Sequence, residues 1–182
     1  MFKIELGDGA VLRPLEPWQA EEFLAHLDRA RGMVDPWIPW ASLSTDLDSA
    51  RATLQRYADK AAKDAARIYG IWLDGVLVGG TMFVSFDAAT GLCEIGCWLE
   101  PAGTGRGLIT RAVRVLIEWA FATRGMYRVE WICRPDNTAS SNVARRLGMT
   151  REGVLRGTFP YRGTRFDSEV WSILATEWTA PE

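Results

Sequence analysis

Hydrophobic and polar residues change their spacing several times along the chain, and each spacing predicts a different kind of element. Apolar residues recur at intervals of three and four over 109–121, which predicts an amphipathic helix. Earlier in the chain, Pro17 opens a second predicted helix, and a third, capped by Ser44 or Thr45, follows it. A shorter helix is predicted over 137–147.

Apolar runs with the spacing of strands lie on both sides of the 109–121 helix. The predicted strands are 10–15, 67–73, 76–85, 92–99, 127–133, 154–161 and 166–174. Asp74–Gly75 is typical of a type I′ hairpin turn, and the strand–helix–strand order in the middle of the chain predicts a locally parallel pair. We therefore predict a single α/β (α+β) domain with a central mixed, mostly antiparallel sheet.

The composition is that of a globular protein with one core. The chain has 182 residues, of which 48% are hydrophobic and 24% charged, and this excludes disorder as its main state. Charges interrupt every apolar stretch before the ~18 residues that a membrane span needs. No signal segment is visible, and Cys93, Cys97 and Cys133 are interpreted as reduced core residues of a cytoplasmic protein without a metal site.

Charge is distributed unevenly along the chain. Residues 1–100 contain 9 basic and 15 acidic side chains. Residues 101–182 contain 12 basic and 8 acidic side chains, and all 12 basic ones are arginines. A pI of about 5.6 argues against a nucleic-acid coat, but the basic second half can hold a smaller polyanion. Scattered surface charge explains the same numbers equally well.

Three glycines follow the predicted strand 92–99 and precede the strongest helix. Gly103, Gly105 and Gly107 allow backbone N–H groups to converge, and the helix start adds its own unpaired donors, so the segment suits a pyrophosphate. The lysine of a Walker loop is absent, and the spacing differs from a dinucleotide fingerprint. Glycines required only for a tight turn are the alternative explanation.

Two stretches, EIGCWLEPAGTGRGLITRA at 94–112 and NTASSNVARRLGMTREG at 137–153, resemble the GNAT (Gcn5-related N-acetyltransferase) superfamily, in particular its RimJ/RimL-like branch. The resemblance covers most of the chain. It implies an acetyl-CoA-dependent N-acetyltransferase with a βαβ acyl-CoA-binding core, in which a primary amine attacks the thioester directly and coenzyme A is released. It also implies one domain over 1–182, with acceptor-side elements at about 1–65, the cofactor core at 67–150 and C-terminal strands at 151–178.

The same resemblance implies a set of cofactor contacts around the glycine loop. The family pattern Gln/Arg-x-x-Gly-x-Gly/Ala maps onto 104–109, where Thr104 and Ile109 depart from it. Because backbone donors do most of the phosphate binding, these departures are expected to modify affinity rather than abolish it. The implied contacts are Trp98, Leu99, Thr104, Gly105, Arg106, Gly107, Leu108, Ile109, Thr110, Asn137, Ser140 and Arg145. Asn137 either bonds the pantetheine or only caps its helix.

Two residues are implied to carry the chemistry. Many GNAT enzymes protonate the departing thiolate with a tyrosine, but Ala144 occupies that position here. Ser140 lies one helical turn earlier on the same face, where the RimL-like group has a serine. Glu94 is the candidate base, directly or through a water molecule, because it shares a strand face with Gly96 and Trp98. A purely structural carboxylate is one alternative, and an amine that loses its proton in solution needs no enzyme base.

The acceptor side is assigned to the irregular segment between the first two helices. Pro36 and Pro39 exclude regular structure there, so Trp37 and Trp40 either line the substrate cleft or anchor the loop. Tyr161 is assigned to the same cleft. The expected acceptor is an amine-bearing small molecule or a protein N-terminus. His26 is expected to be exposed and is given no role.

Two other functions stay open at this point. Without the tyrosine, the chain could be a non-catalytic acyl-CoA sensor or scaffold, and the glycine loop alone is compatible with a nucleotide-phosphate protein. No stable nucleic-acid or membrane partner is expected, and no metal ligand set is visible. Relatives of this fold often form homodimers through sheet edges, which the sequence does not decide for this chain.

Overall fold

An eight-stranded sheet runs through the computed structural model, which describes residues 3–179. The strands are β1 (Ile4–Gly7), β2 (Ala10–Pro14), β3 (Arg67–Leu73), β4 (Val76–Asp87), β5 (Leu92–Leu99), β6 (Arg128–Cys133), β7 (Thr150–Tyr161) and β8 (Thr164–Leu174). Only β1 was not predicted. It is a four-residue strand at the sheet edge in which Leu6 alone is buried, so it has little hydrophobic pattern to detect.

Five α-helices accompany the sheet. They are α1 (Ala20–Val34), α2 (Trp40–Leu43), α3 (Leu47–Ala62), α4 (Leu108–Glu118) and α5 (Thr138–Arg146). A 3₁₀ turn over Pro17–Gln19 precedes α1, and a π turn over Trp119–Thr123 continues α4. The proline-rich segment is irregular only in part. Residues 35–39 are turns and loop, as expected, but Trp40 is the first residue of α2, a short helix that was not predicted and that has Pro39 as its N-cap.

The predicted cap of α3 is wrong by one or two residues. Asp46 is the N-cap, and its carboxylate accepts the backbone N–H of Ser49 at 2.8 Å. Ser44 is buried instead, with its hydroxyl 2.8 Å from that of Thr53. The aspartate therefore satisfies the free N–H groups of the first turn, while the serine is a core hydroxyl.

The strand order is β1-β2-β3-β4-β5-β6-β8-β7, and β5–β6 is the single parallel pair among the described strands. This confirms the mixed, mostly antiparallel sheet. Asp74 and Gly75 have φ values of 49° and 83°, as the type I′ turn between β3 and β4 requires. The helix α4 makes the crossover between the two parallel strands.

Helices cover both faces of the sheet, so the protein has two hydrophobic layers. Leu116 and Ile117 of α4 belong to one buried cluster, and Phe23 and Leu27 of α1 belong to the other. β5 separates the two layers. Ile95 faces the α4 side and Trp98 faces the α1 side, in agreement with the alternation predicted for this strand.

The parallel strands β5 and β6 separate soon after they meet. They are paired over three residues only, Leu92–Glu94 against Arg128–Glu130. At the point where they part, β4 carries an extra residue, Val84, opposite β5, and such a bulge bends a strand and increases its twist. The result is a slot through the sheet, bounded by the remainder of β5 on one side and of β6 on the other.

An ion-pair cluster connects β6 to β7 near the end of the slot where β5 and β6 are paired. The guanidinium of Arg128 donates to Glu130 at 2.8 Å and, through both of its terminal nitrogens, to Glu152 of β7 at 2.6 Å. Bidentate contacts of this kind are geometrically specific. The cluster therefore fixes β6 relative to β7 where the slot begins.

No helix within residues 3–179 is long and apolar enough to cross a membrane.

Candidate active site

A cavity of about 630 Å³ occupies the slot between β5 and β6. Its walls come from both faces of the sheet, because the slot passes between the two layers. The sequence-predicted residues that line it are Trp37, Trp40, Glu94, Trp98, Leu99, Thr104, Gly105, Gly107, Leu108, Ile109, Thr110, Asn137 and Ser140. Arg106, Arg145 and Tyr161 do not line it.

The glycine loop forms one end of the cavity and presents unpaired backbone donors. Gly105 and Gly107 have φ values of 75° and 69°, a conformation that other residues adopt only with strain. Gly107 is the N-cap of α4 and has no side chain with which to cap it. Within residues 3–179, the N–H groups of 108–110 have no hydrogen-bond acceptor. The positive end of the α4 dipole adds to these donors, so the geometry of the loop suits an anion.

The arginines of α4 and α5 differ in their contacts. Arg111 pairs with Asp8 at 3.1 Å. Arg145 donates to Asn142 at 2.7 Å and lies over the Trp171 ring, whereas Arg146, one residue later, lines the cavity. Half of the twelve arginines after residue 100 form ion pairs within the described chain: Arg111, Arg124, Arg128, Arg134, Arg151 and Arg162. The basic balance of this half is therefore partly neutralised.

Ser140 is held at the start of α5 with its hydroxyl proton available. Asn137 caps the helix by accepting the backbone N–H of Ser140 at 3.2 Å, and it also lines the cavity. The indole of Trp131 donates to the Ser140 oxygen at 2.9 Å. Because that oxygen already accepts a hydrogen bond, the hydroxyl can donate its own proton to an acceptor in the cavity.

Glu94 is a carboxylate without a hydrogen bond or ion pair to any residue in 3–179. It lies opposite Glu130 in the short parallel pairing. Burial, and secondarily the negative charge of Glu130, raise the pKa of Glu94 from 4.5 to about 7. Glu94 can therefore both accept and release a proton near neutral pH.

Tyr57 also lines the cavity, although the sequence pattern did not indicate it as a candidate site residue. Its hydroxyl donates to the sulfur of Met82 at 3.0 Å. Burial raises the pKa of Tyr57 to about 12, and the charge of Glu94 contributes in the same direction. The available signal was its position three residues after the buried Leu54, on the inner face of α3.

An aromatic wall stands on the α1 side of the cavity. The ring of Trp40 lies 5.6 Å from that of Phe23 and makes an edge contact with that of Trp98 at 5.3 Å. Trp37 lies under the guanidinium of Arg134 at 4.9 Å. The two tryptophans of the proline-rich segment therefore anchor the loop and line the cavity at the same time, so the two alternatives are not exclusive.

Tyr161 lies at the tip of the β7–β8 hairpin and joins it to the segment after α1. Its hydroxyl donates to the backbone carbonyl of Asp35, and the neighbouring Arg162 pairs with the Asp35 carboxylate. Phe159 of the same strand reaches the cavity, as does Trp37 on the other side. We call this connection the hairpin latch. It joins the two chain segments that contribute Trp37 and Phe159 to the cavity lining.

The expectation that His26 is exposed is wrong. The side chain is fully buried, with Nδ1 3.0 Å from a carboxylate oxygen of Glu100 and Nε2 accepting the indole N–H of Trp98 at 2.9 Å. Helical spacing explains the position, since residue 26 falls between Phe23 and Ala30 on the buried face of α1. Because histidine is polar, the hydrophobic pattern of the sequence did not indicate that this side chain is buried.

With the geometry established, comparison with known proteins identifies the family. The model of the acetyltransferase (GNAT) domain matches residues 10–150. The chain belongs to the GNAT acetyltransferase family. Among curated proteins, this GNAT chain is 29% identical to the putative ribosomal N-acetyltransferase YdaF of Bacillus subtilis over 183 residues, covering 98% of each chain. It is 28% identical to the ribosomal-protein-serine acetyltransferase of Escherichia coli, covering 64% of this chain and 65% of that one.

Solved structures show the same fold. The ribosomal alpha-N-protein acetyltransferase RimL, in complex with coenzyme A, superposes with a TM-score of 0.88 at 22% identity, covering 94% of this chain and 97% of RimL. At that identity the match establishes the fold. It confirms the predicted GNAT domain with its mixed sheet.

Glu94 is expected to make the stability of this GNAT protein depend on pH. Because its pKa rises from 4.5 to about 7 on folding, the protonated carboxyl favours the folded state. That contribution is complete below pH 4.5 and is lost as the pH rises through 7. Glu94→Gln does not titrate, so its free energy of unfolding should increase relative to the wild type between pH 5 and 8. Urea unfolding at several pH values measures the difference, and a constant difference would contradict the assignment.

Proposed function

We propose that this GNAT protein transfers an acetyl group from acetyl-CoA to a primary amine, with the α-amine of a protein N-terminus as acceptor. The observation that carries the proposal is the slot. It joins a loop of free N–H donors on one side of the sheet to a titrating carboxylate and an aromatic wall on the other. The names of the relatives, a ribosomal N-acetyltransferase and a ribosomal-protein-serine acetyltransferase, support the same reaction class and a protein acceptor.

The residues present fit acetyl-CoA, which supplies the thioester. The free N–H groups of the glycine loop and of residues 108–110 suit its pyrophosphate, with Arg146 nearby as a cation. The unpaired edge of β5 over 96–99 suits the amides of the pantetheine arm, since exposed strand edges bind extended chains. We accordingly assign about 67–150 to the cofactor, about 1–65 to the acceptor side and 151–178 to the strands that close it.

Glu94 and Ser140 divide the proton transfers between them. An attacking amine must be neutral, and the Glu94 carboxylate takes its proton either directly or through a water molecule. The sulfur of the departing coenzyme needs a proton, which the Ser140 hydroxyl donates. Trp131 holds the serine oxygen in place for this step. The nitrogen–carbon bond forms, the carbon–sulfur bond breaks, and coenzyme A leaves as the thiol. The proton taken up by Glu94 then returns through solvent to the Ser140 oxygen, so both residues regain their starting forms.

The charges around the cavity favour a monoamine over a polyamine. Glu94 is the one carboxylate among the lining residues. Asp35, which lies next to the lining residue Val34, is already paired with Arg162. The spermidine N(1)-acetyltransferase of Escherichia coli, 25% identical over 84% of this chain, acts on a polycation. The several positive charges of a polyamine would meet only one carboxylate here, that of Glu94. A protein N-terminus has a single amine and needs only one.

Acetyl transfer to peptides is the direct test. With acetyl-CoA and a panel of peptides bearing free N-termini, thiol release should occur with peptides and be weak with spermidine. Ser140→Ala should lower kcat by about 10²-fold, because it removes the proton donor. Its affinity for coenzyme A, measured by calorimetry, should stay within about twofold. Thr138→Ala, an exposed change on the same helix, is the matched control and should behave as wild type.

Two outcomes would overturn the assignment. Coenzyme A binding without turnover on any amine would point to the sensor role. Full activity of Ser140→Ala would remove the serine from the chemistry while leaving the transferase intact.

Glu94→Gln tests the base. The wild-type rate should rise as the pH passes through about 7, because the carboxylate form of Glu94 is the active one. The acceptor amine also titrates, but it does so identically for both enzymes. The ratio of wild-type to variant kcat/KM on one peptide should therefore increase between pH 6 and 8. A pH-independent ratio would exclude Glu94 as the base.

Gly107→Ala tests the anion site. A Cβ at Gly107 meets no atom within 4 Å, so its cost comes from the φ of 69° and not from a clash. Gly125→Ala is matched to it, with a φ of 64°, open space and no place in the cavity lining. Both variants should lose similar stability. Only Gly107→Ala should weaken coenzyme A binding, by about tenfold or more, and equal affinities would contradict the site.

A further inference from the structure

A buried polar network connects α1 to β5, and the proton transfers described above do not use it. His26 is 0% exposed, Trp98 3% and Glu100 3%. Nδ1 of His26 lies 3.0 Å from Glu100 and Nε2 lies 2.9 Å from the indole nitrogen of Trp98. Arg29 donates to the same Glu100 oxygen at 2.9 Å and to the carbonyl of Leu77 at 2.8 Å.

The partners of His26 define its protonation. An indole N–H can only donate, so Nε2 of His26 carries no proton and accepts from Trp98. Nδ1 therefore carries the proton and donates it to the Glu100 carboxylate. Burial also lowers the pKa of His26, despite the opposing effect of Glu100. The imidazole is neutral, with one fixed tautomer and both ring nitrogens occupied.

The indole of Trp98 is located by contacts on three sides. His26 holds its N–H. Trp40 meets it edge-on, with an interplanar angle of 88°. Gly80 of β4 lies directly against the ring, since a Cβ at that position would come within 2.2 Å of it. A residue larger than glycine would displace the ring, so β4 is adapted to this one orientation.

We propose that His26 is a positioning residue that sets the orientation of Trp98, and thereby the aromatic wall against which the acceptor binds. The inference rests on the proposed function and refines it: the backbone of Trp98 belongs to the cofactor core, but its ring packs against Trp40 in the α1 layer, on the acceptor side of the cavity. Glu100, the other partner of His26, directly precedes the turn Pro101–Gly103 that leads into the glycine loop. One imidazole thus aligns the acceptor wall relative to the start of the cofactor loop.

Two substitutions separate the two hydrogen bonds of the imidazole. In His26→Asn the amide nitrogen can replace Nδ1 and donate to Glu100, but the side chain is too short to accept from Trp98. In His26→Gln the longer amide reaches the position of Nε2 and can accept the indole N–H. The pair therefore tests the contact with Trp98 in chains that both retain a buried amide.

The KM for the acceptor peptide distinguishes positioning from general stabilisation. His26→Asn should raise it by about tenfold, the size of effect expected when a buried donor loses its partner. The affinity for coenzyme A should stay within twofold. His26→Gln should stay within about threefold of the wild-type KM. Both proteins are assayed below their unfolding transitions. Equal KM values for the wild type and His26→Asn would show that the histidine contributes to packing and does not position the acceptor wall.

A second measurement does not depend on activity. The indole N–H of Trp98, assigned in a ¹⁵N spectrum by its loss in Trp98→Phe, should exchange slowly with solvent in the wild type and in His26→Gln. It should exchange at least tenfold faster in His26→Asn. Slow exchange in all three proteins would overturn the proposal. If the wild type acetylates no amine while the exchange rates follow this order, the proposed function fails and the orienting role of His26 stands.

Discussion

The parting of β5 and β6 is the constraint on which the rest of the site depends. An open strand edge inside a protein is costly, because its N–H and C=O groups lose their partners. Here each strand is secured on its outer side, β5 by β4 and β6 by β8. Arg128 links β6 to β7 at the end where β5 and β6 are still paired. The slot can therefore stay open, with its polar edge available to a ligand.

The slot also explains why the two candidate proton carriers occupy such different environments. Glu94 faces the α1 layer, where burial and a like-charged neighbour favour its neutral form. Ser140 lies on α5, across the slot, and is bonded to an indole that leaves its proton free. In the proposed reaction, a carbon between them would meet a base from one layer and an acid from the other. Neither layer contains both groups.

Local pattern predicted most of the elements, and contacts distant in sequence account for what it missed. The bounds of β3 and β5 agree with the prediction because hydrophobic spacing and the Asp74–Gly75 turn define them locally. The parallel pairing followed from strand order, but nothing local shows that it stops after three residues. His26 and Tyr57 were missed because polar side chains on buried helix faces acquire their partners only when the layers pack. The cofactor loop was recognisable by family resemblance, since its glycines alone also fit a tight turn.

The hairpin latch links two distant parts of the chain on one side of the cavity. Asp35 is joined to both Tyr161 and Arg162, so the segment after α1 and the tip of β7–β8 are held together. Trp37, just after Asp35, and Phe159, just before Tyr161, both line the cavity. Because the joined residues are 126 positions apart in the sequence, this wall of the cavity can take its final form only after β7 and β8 have paired.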